Sequence, residues 1–183
     1  MEKNTMIIAV VAVVAVVAVA GVAIIMMGDG NDDAGFDHEG KWVEQGAGAA
    51  GKLAIEEDEL NGWTSGEGTS IKDNEYIIYF KNDDGLIAYI SLEILESPDA
   101  AKEKYAEYKG YDEANNGILS FEKCEQSHKY DYGQYIRYML QDLNVYAYFE
   151  IQGEVNEQDR DALADKIASL LTEKIHAAAI AIA

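Results

Sequence analysis

Cysteine, proline, histidine and basic residues are all scarce in this chain of 183 residues, and each shortage removes a class of explanation. A single cysteine, Cys124, excludes an internal disulfide, so a folded domain has to be held by buried apolar surface. The three histidines, His38, His128 and His176, fall in three separate segments, whereas a zinc site usually brings two ligands within a few residues of each other. Only 14 Lys and Arg stand against 34 Asp and Glu, a formal charge of −20. A surface of that sign repels nucleic acid and anionic lipid headgroups, so neither is expected as a direct ligand. Also missing are a Gly-x-Ser-x-Gly turn and a Cys/His pairing, and the glycines of "TSGEGTS" open no helix that would cradle a phosphate. No catalytic residue and no cofactor are expected from these patterns.

The sequence does have a long apolar run, residues 6–27, "MIIAVVAVVAVVAVAGVAIIMM", behind the short start "MEKNT". At about 1.5 Å per residue its 22 residues extend about 33 Å as a helix, enough to cross a hydrocarbon core of about 30 Å. Ala, Val and Ile occupy every side of that helix, an arrangement suited to lipid rather than to a protein core with one wet face. The rival reading is a secretory signal cleaved near the small residues "AVAGVA" at 18–23, which would release the rest as a secreted domain; signal cores are usually shorter and more positively flanked. Lys3 precedes the run and no Lys or Arg follows it before Lys41, which predicts a cytoplasmic N-terminus at 1–5 and an extracytoplasmic body.

Residues 28–51 are rich in Gly, Ala and Asp and read as an acidic tether, with "KWV" at 41–43 as the one stretch suggesting order. Residues 52–183 read as one α+β domain. "EYIIYF" and "LIAYISLEIL" are strands joined at Asp84-Gly85, a hairpin signal. In the second, Leu86, Ala88, Ile90, Leu92 and Ile94 alternate with Ile87, Tyr89, Ser91 and Glu93, and the first set is expected in the core. "SPDAAKEKYAEYKG" predicts a helix with Ser97 as its cap, Pro98 in its first turn, Gly110 past its end, and a buried stripe of Ala101, Tyr105 and Tyr108. Three more strands follow, "ILSFEKCE", "GQYIRYML" and "NVYAYFEIQG", with Cys124 as a small buried residue in the first and His128 in the loop after it. Val145, Ala147, Phe149 and Ile151 are expected in the core, and Asn144, Tyr146, Tyr148 and Glu150 on a wet face. A closing amphipathic helix starts at Asn156, runs through Leu163, Ile167, Leu170 and Leu171 to Lys174 and His176, and continues or frays into "AAAIAIA". The expected architecture is a twisted antiparallel sheet of five or six strands with two helices on one face.

The order of a "DELNGW" turn, two strands, an "SPDAAKEKY" helix, three strands around "YIRYMLQDLNVYAYFEI" and a closing helix resembles small anchored extracytoplasmic domains of bacteria and archaea, including the PsbP/Mog1-like class. The resemblance covers residues 53–176. It implies a fold and a cell-envelope setting, and transfers no site residue.

Two sites suggest themselves. Asp29, Asn31 and Asp33 alternate as in a calcium loop, yet Ala34 stands where the tight turn needs Gly, and Gly40 where a closing Glu belongs, so an acidic solvated tether is the expectation. Tyr130, Tyr132, Tyr135, Tyr138, Tyr146 and Tyr148 crowd two strands around Arg137. Tyr135, Arg137, Tyr146 and Tyr148 are therefore the candidate binding residues for an envelope protein or glycan, with cross-strand packing as the alternative role. The function expected is a non-catalytic, membrane-anchored interaction or ligand-binding module. The alternative is a hydrolase-like envelope enzyme with a site assembled from scattered residues.

Overall fold

A computed structural model describes residues 41–115 and 118–181, all within the unit Asp33–Ala183. The apolar run at 6–27, most of the tether, and the candidate ligands Asp29, Asn31 and Asp33 lie outside the described residues. Among the described residues no helix is long and apolar enough to cross a membrane.

The fold is α+β. Its strands are β1 (Lys41–Val43), β2 (Trp63–Ser65), β3 (Thr69–Lys72), β4 (Glu75–Asn82), β5 (Ile87–Ile94), β6 (Leu119–Ser120), β7 (Gln126–Asp131), β8 (Tyr135–Asp142), β9 (Val145–Gln152) and β10 (Ala179–Ala181). Its helices are α1 (Ala49–Lys52), α2 (Pro98–Asn115) and α3 (Glu157–Ala178). Eight strands form one sheet along the path β2-β4-β5-β9-β8-β7-β6, with β3 also on β4. All its pairings are antiparallel. The expected hairpin is present at Asp84-Gly85, where Gly85 takes φ 84° and the Asn82 side chain accepts from the Leu86 amide at 2.9 Å.

The alternation read from the sequence holds on one face. Ala88, Ile90, Leu92 and Ile94 of β5 and Val145, Ala147, Phe149 and Ile151 of β9 are buried with Ile78 and Phe80 of β4 and Ile136, Tyr138 and Leu140 of β8. Ala164, Ile167, Ala168, Leu171 and Ile175 of α3 cover them, joined by Ala50, Leu53 and Ile55. Each fully buried Leu, Ile, Val or Phe among them contributes about 1.5–3 kcal/mol through burial. The cap of α3 is as expected, with Asn156 accepting from the Asp159 amide at 2.9 Å.

The sheet has eight strands rather than the five or six expected, because the short edge strands β2, β3 and β6 join it, and further expectations are corrected. The two long helices do not share a face: α3 lies on the apolar side, and α2 on the other, against Met139 and Tyr146. The reason is that β9 is buried on both sides, so its second face needs a cover as well. Helix α2 is capped by Ser97, whose hydroxyl accepts from the Ala100 amide at 3.1 Å, but it runs through Gly110 to Asn115. Gly110 has no positive φ and no stop geometry, so the helical ladder continues.

Residues 41–51 are not free tether. β1 pairs with β10, so the apolar C-terminal tail is a strand rather than frayed helix, and Ala50 is buried. Asn144, expected on the wet face, is buried and closes this corner. Its carboxamide accepts from the Val43 amide at 2.7 Å and donates to the carbonyls of Val43 (2.9 Å) and Leu95 (2.8 Å), replacing strand bonds that β1 lacks. Finally, the expected strand at 118–125 breaks after Ser120. The chain strands again at β7, which contains His128, while Cys124 stays buried in the irregular segment between.

Candidate functional site

The second face of the sheet is built differently. Register aligns Tyr79, Tyr89, Glu150, Arg137 and Tyr130 in one row across β4, β5, β9, β8 and β7. The next row is Ile77, Ser91, Tyr148, Met139 and His128, and the one beyond is Glu75, Glu93, Tyr146, Gln141 and Gln126. Because side chains alternate along a strand, all three rows project to the side away from α3. Helix α2 covers only part of them: Tyr105 packs with Met139 and Tyr146, Tyr108 stacks on Tyr146 at 5.4 Å, and Lys104 pairs with Glu93. The Tyr79 end of the first row stays open, and Tyr79 is 47% exposed.

Under α2 lies a buried polar chain. Asp112, His128 and Tyr105 are 1%, 2% and 3% exposed. His128 Nε2 is 3.0 Å from Asp112 Oδ2, and Nδ1 is 2.8 Å from the Tyr105 hydroxyl. The Tyr132 hydroxyl donates to Asp112 Oδ1 at 2.9 Å and stands 3.5 Å from Arg137 Nη1. One set of protons satisfies every member: Tyr105 O–H donates to Nδ1, Nε2–H donates to Asp112, and the other Asp112 oxygen accepts from Tyr132. A His-Asp pair is a familiar base, but here both ring nitrogens are engaged within the protein, and neither is left for a substrate proton. The arrangement fixes Tyr132 in place.

Tyr132 in turn borders Arg137, which joins the buried chain to the open row. The guanidinium gives Nε and Nη2 to Glu150 Oε1 at 2.9 and 2.6 Å, while Gln152 donates to Glu150 Oε2 at 3.2 Å. Its centre lies 5.0 Å from the Tyr132 and Tyr148 ring centroids and 5.9 Å from that of Tyr135. Burial alone would lower the Arg137 pKa, but Glu150 and Tyr132 beside it reverse this and hold it above its ordinary value. Tyr89, Tyr132, Tyr135 and Tyr148 all have raised pKa values, desolvation being the largest cause in each. These rings are therefore neutral hydrogen-bonding groups well above pH 7.

Of the four residues singled out in the sequence, the structure brings Tyr135, Arg137 and Tyr148 together on this face. Tyr146 is the exception. It was expected on an exposed surface, but it is 3% exposed under Tyr105 and Tyr108, and its hydroxyl is buried without a hydrogen-bond partner among the described residues. Sequence reasoning did not single out Asp112, Tyr105, Glu150, Tyr89 or Tyr79 as site residues. Asp112 had a signal: the stripe Ala101, Tyr105, Tyr108 continues four residues on to Asp112, placing a carboxylate where burial is expected. Glu150 and Tyr89 become visible only once register sets them beside Arg137.

His176 lies in the last turn of α3, as expected, and reaches buried Asp142 at 2.8 Å on the opposite side of the sheet from His128. Among the described residues no group of three or more His, Cys, Asp or Glu is placed to hold a metal ion. Searches of protein-family models, curated proteins and solved structures give no significant match to this chain.

Proposed function

We propose that the chain is a membrane-anchored, extracytoplasmic binding module, held by residues 6–27 and binding through the open end of its tyrosine face. The observation that carries the binding part is the row Tyr79, Tyr89, Glu150 and Arg137, which runs from an exposed tyrosine at the uncovered edge of the sheet inward to a mutually satisfied, largely buried ion pair. Such rings give large contact area for little rotamer entropy, and Tyr and Arg dominate interface energetics. The anchored part rests on the uncharged run at 6–27 and on Lys3 before it. The PsbP/Mog1-like resemblance belongs to the same proposal and rests on the order of elements alone.

Two experiments test it. Protease added to intact cells should remove the domain and leave residues 6–27 with the membrane; a mature N-terminus near Gly28 would instead show a cleaved signal. A photoreactive phenylalanine analogue at Tyr79, in the full chain in its own membrane, should capture a ligand or partner. The same group at Tyr111, exposed on α2 away from the row, should not. Equal capture at both positions, or none at Tyr79, would refute binding at this face.

A further inference from the structure

We infer that the open tyrosine row takes a neutral saccharide, with the sugar ring lying on the tyrosines and its hydroxyls meeting the Arg137–Glu150–Gln152 edge; this rests on the binding reading above and specifies its ligand. The charge pattern argues for it. The chain carries −20 overall, yet the two acids that act on Tyr89 are both paired, Glu150 with Arg137 at 2.6 Å and Glu75 with Lys72 at 3.4 Å. A locally neutral patch on a strongly acidic domain has no field that would draw a cation, while the surrounding charge repels an anion. An uncharged ligand is the complement of both.

The side chains themselves point to a polyol. The rings offer flat faces with hydroxyls at their tips, suited to the C–H faces and equatorial hydroxyls of a pyranose. Arg137 has more N–H groups than its bonds to Glu150 and Tyr132 use. The Tyr79 ring lies against Gly66: a Cβ added there would come within 2.0 Å of it, so a larger residue would push the ring aside. At the other end Tyr132 is fixed by Asp112 and His128. A platform set in advance at both ends loses little conformational freedom when a ligand arrives.

The test uses the full chain in a detergent without a sugar headgroup, titrated with neutral gluco-oligosaccharides of six units, α- and β-linked, and with the hexamer of N-acetylglucosamine. A uronic-acid hexamer is the charged comparator. Ring carbon-proton signals of Tyr79, Tyr89 and Tyr135 should shift saturably with at least one neutral hexamer and respond at least about tenfold more weakly to the uronate. Tyr79→Ser should weaken binding about tenfold, equivalent to about 1.4 kcal/mol. Gly66→Ala, which displaces the ring without removing it, should also weaken binding, and Tyr111→Ser should not. Silence of these rings towards every neutral hexamer, an equal response to the uronate, or shifts confined to other tyrosines would overturn the saccharide assignment. If the photoreactive group at Tyr79 then still captures a protein, the binding face stands and only its ligand class falls. If it captures nothing, both fall.

Discussion

The two faces of the central sheet use the same strands for different ends. On the α3 side, residues such as Phe80, Ala88, Phe149 and Ile151 interdigitate with helix side chains, and the few polar groups sit at the margin, as where the Tyr138 hydroxyl reaches Asp161 at 3.2 Å. On the α2 side the same strands present Tyr, His, Glu and Arg, joined into one hydrogen-bonded chain and covered only in part. An apolar face has few groups to titrate and is unforgiving of lost volume. A polar face is sensitive to pH, and each of its members depends on its neighbours. Hydrophobic alternation alone therefore does not separate a wet face from a second buried one.

The largest expected contrast is at alkaline pH. Tyr89, Tyr105, Tyr132 and Tyr146 on the α2 side, against Tyr138 alone on the α3 side, have raised pKa values in the folded state because burial disfavours the phenolate. Above about pH 10 the unfolded chain loses protons that the folded one keeps, so stability falls as pH rises, by about 1.4 kcal/mol per pH unit for each such tyrosine. Cys124, pushed up to about 12 by burial, adds to the loss from about pH 9 upward. Absorbance of tyrosinate against pH should show a group of rings ionising only with unfolding. Smooth titration of all twelve tyrosines near pH 10 would show the α2 side to be open to water.

Removal of volume sharpens the contrast from the other side. Phe149→Ala, in the middle of the apolar face, should cost about 3–5 kcal/mol in urea unfolding, with no dependence on pH between 6 and 9. Asp112→Ala should cost less, about 2–3 kcal/mol, because it leaves His128 Nε2–H and the Tyr132 hydroxyl without acceptors in a buried place. Its distinctive consequence is local: the ring signals of Tyr132 and Tyr135 should broaden or shift while the methyl signals of Ile167 and Leu171 stay put. A uniform change across both helices would mean that the polar chain supports the whole fold rather than one corner.

How much of this could be read in advance follows from the same division. Helix caps were legible because Ser97 and Asn156 each have a local partner three residues on. The apolar face was legible because alternation is a property of one strand at a time. The second face was not, since Tyr146 and Tyr148 look alike in sequence, and only the position of α2 makes one buried and the other partly open. β7, "QSHKYD", carries too few apolar residues to announce a strand, and its His128 is buried by partners from α2. β1 and β10 are short and are fixed to each other and, at Val43, to Asn144, contacts a hundred residues or more apart that no local pattern encodes.

If the open row serves binding, its rings are not needed for folding. Urea unfolding of the Tyr79→Ser, Tyr135→Ser double variant, which removes the outer ring of the row and the ring opposite Gln152 in the row beside it, decides this. Tyr79 is about half exposed and Tyr135 stacks only on Tyr132, at 5.0 Å, and beside Arg137. Surface substitutions of this kind shift stability by about 0.5 kcal/mol each, so a combined loss of about 1 kcal/mol or less is expected, with an unchanged denaturant slope. A loss of about 3 kcal/mol or more would show the row to be structural packing and would contradict the division of labour between the two faces.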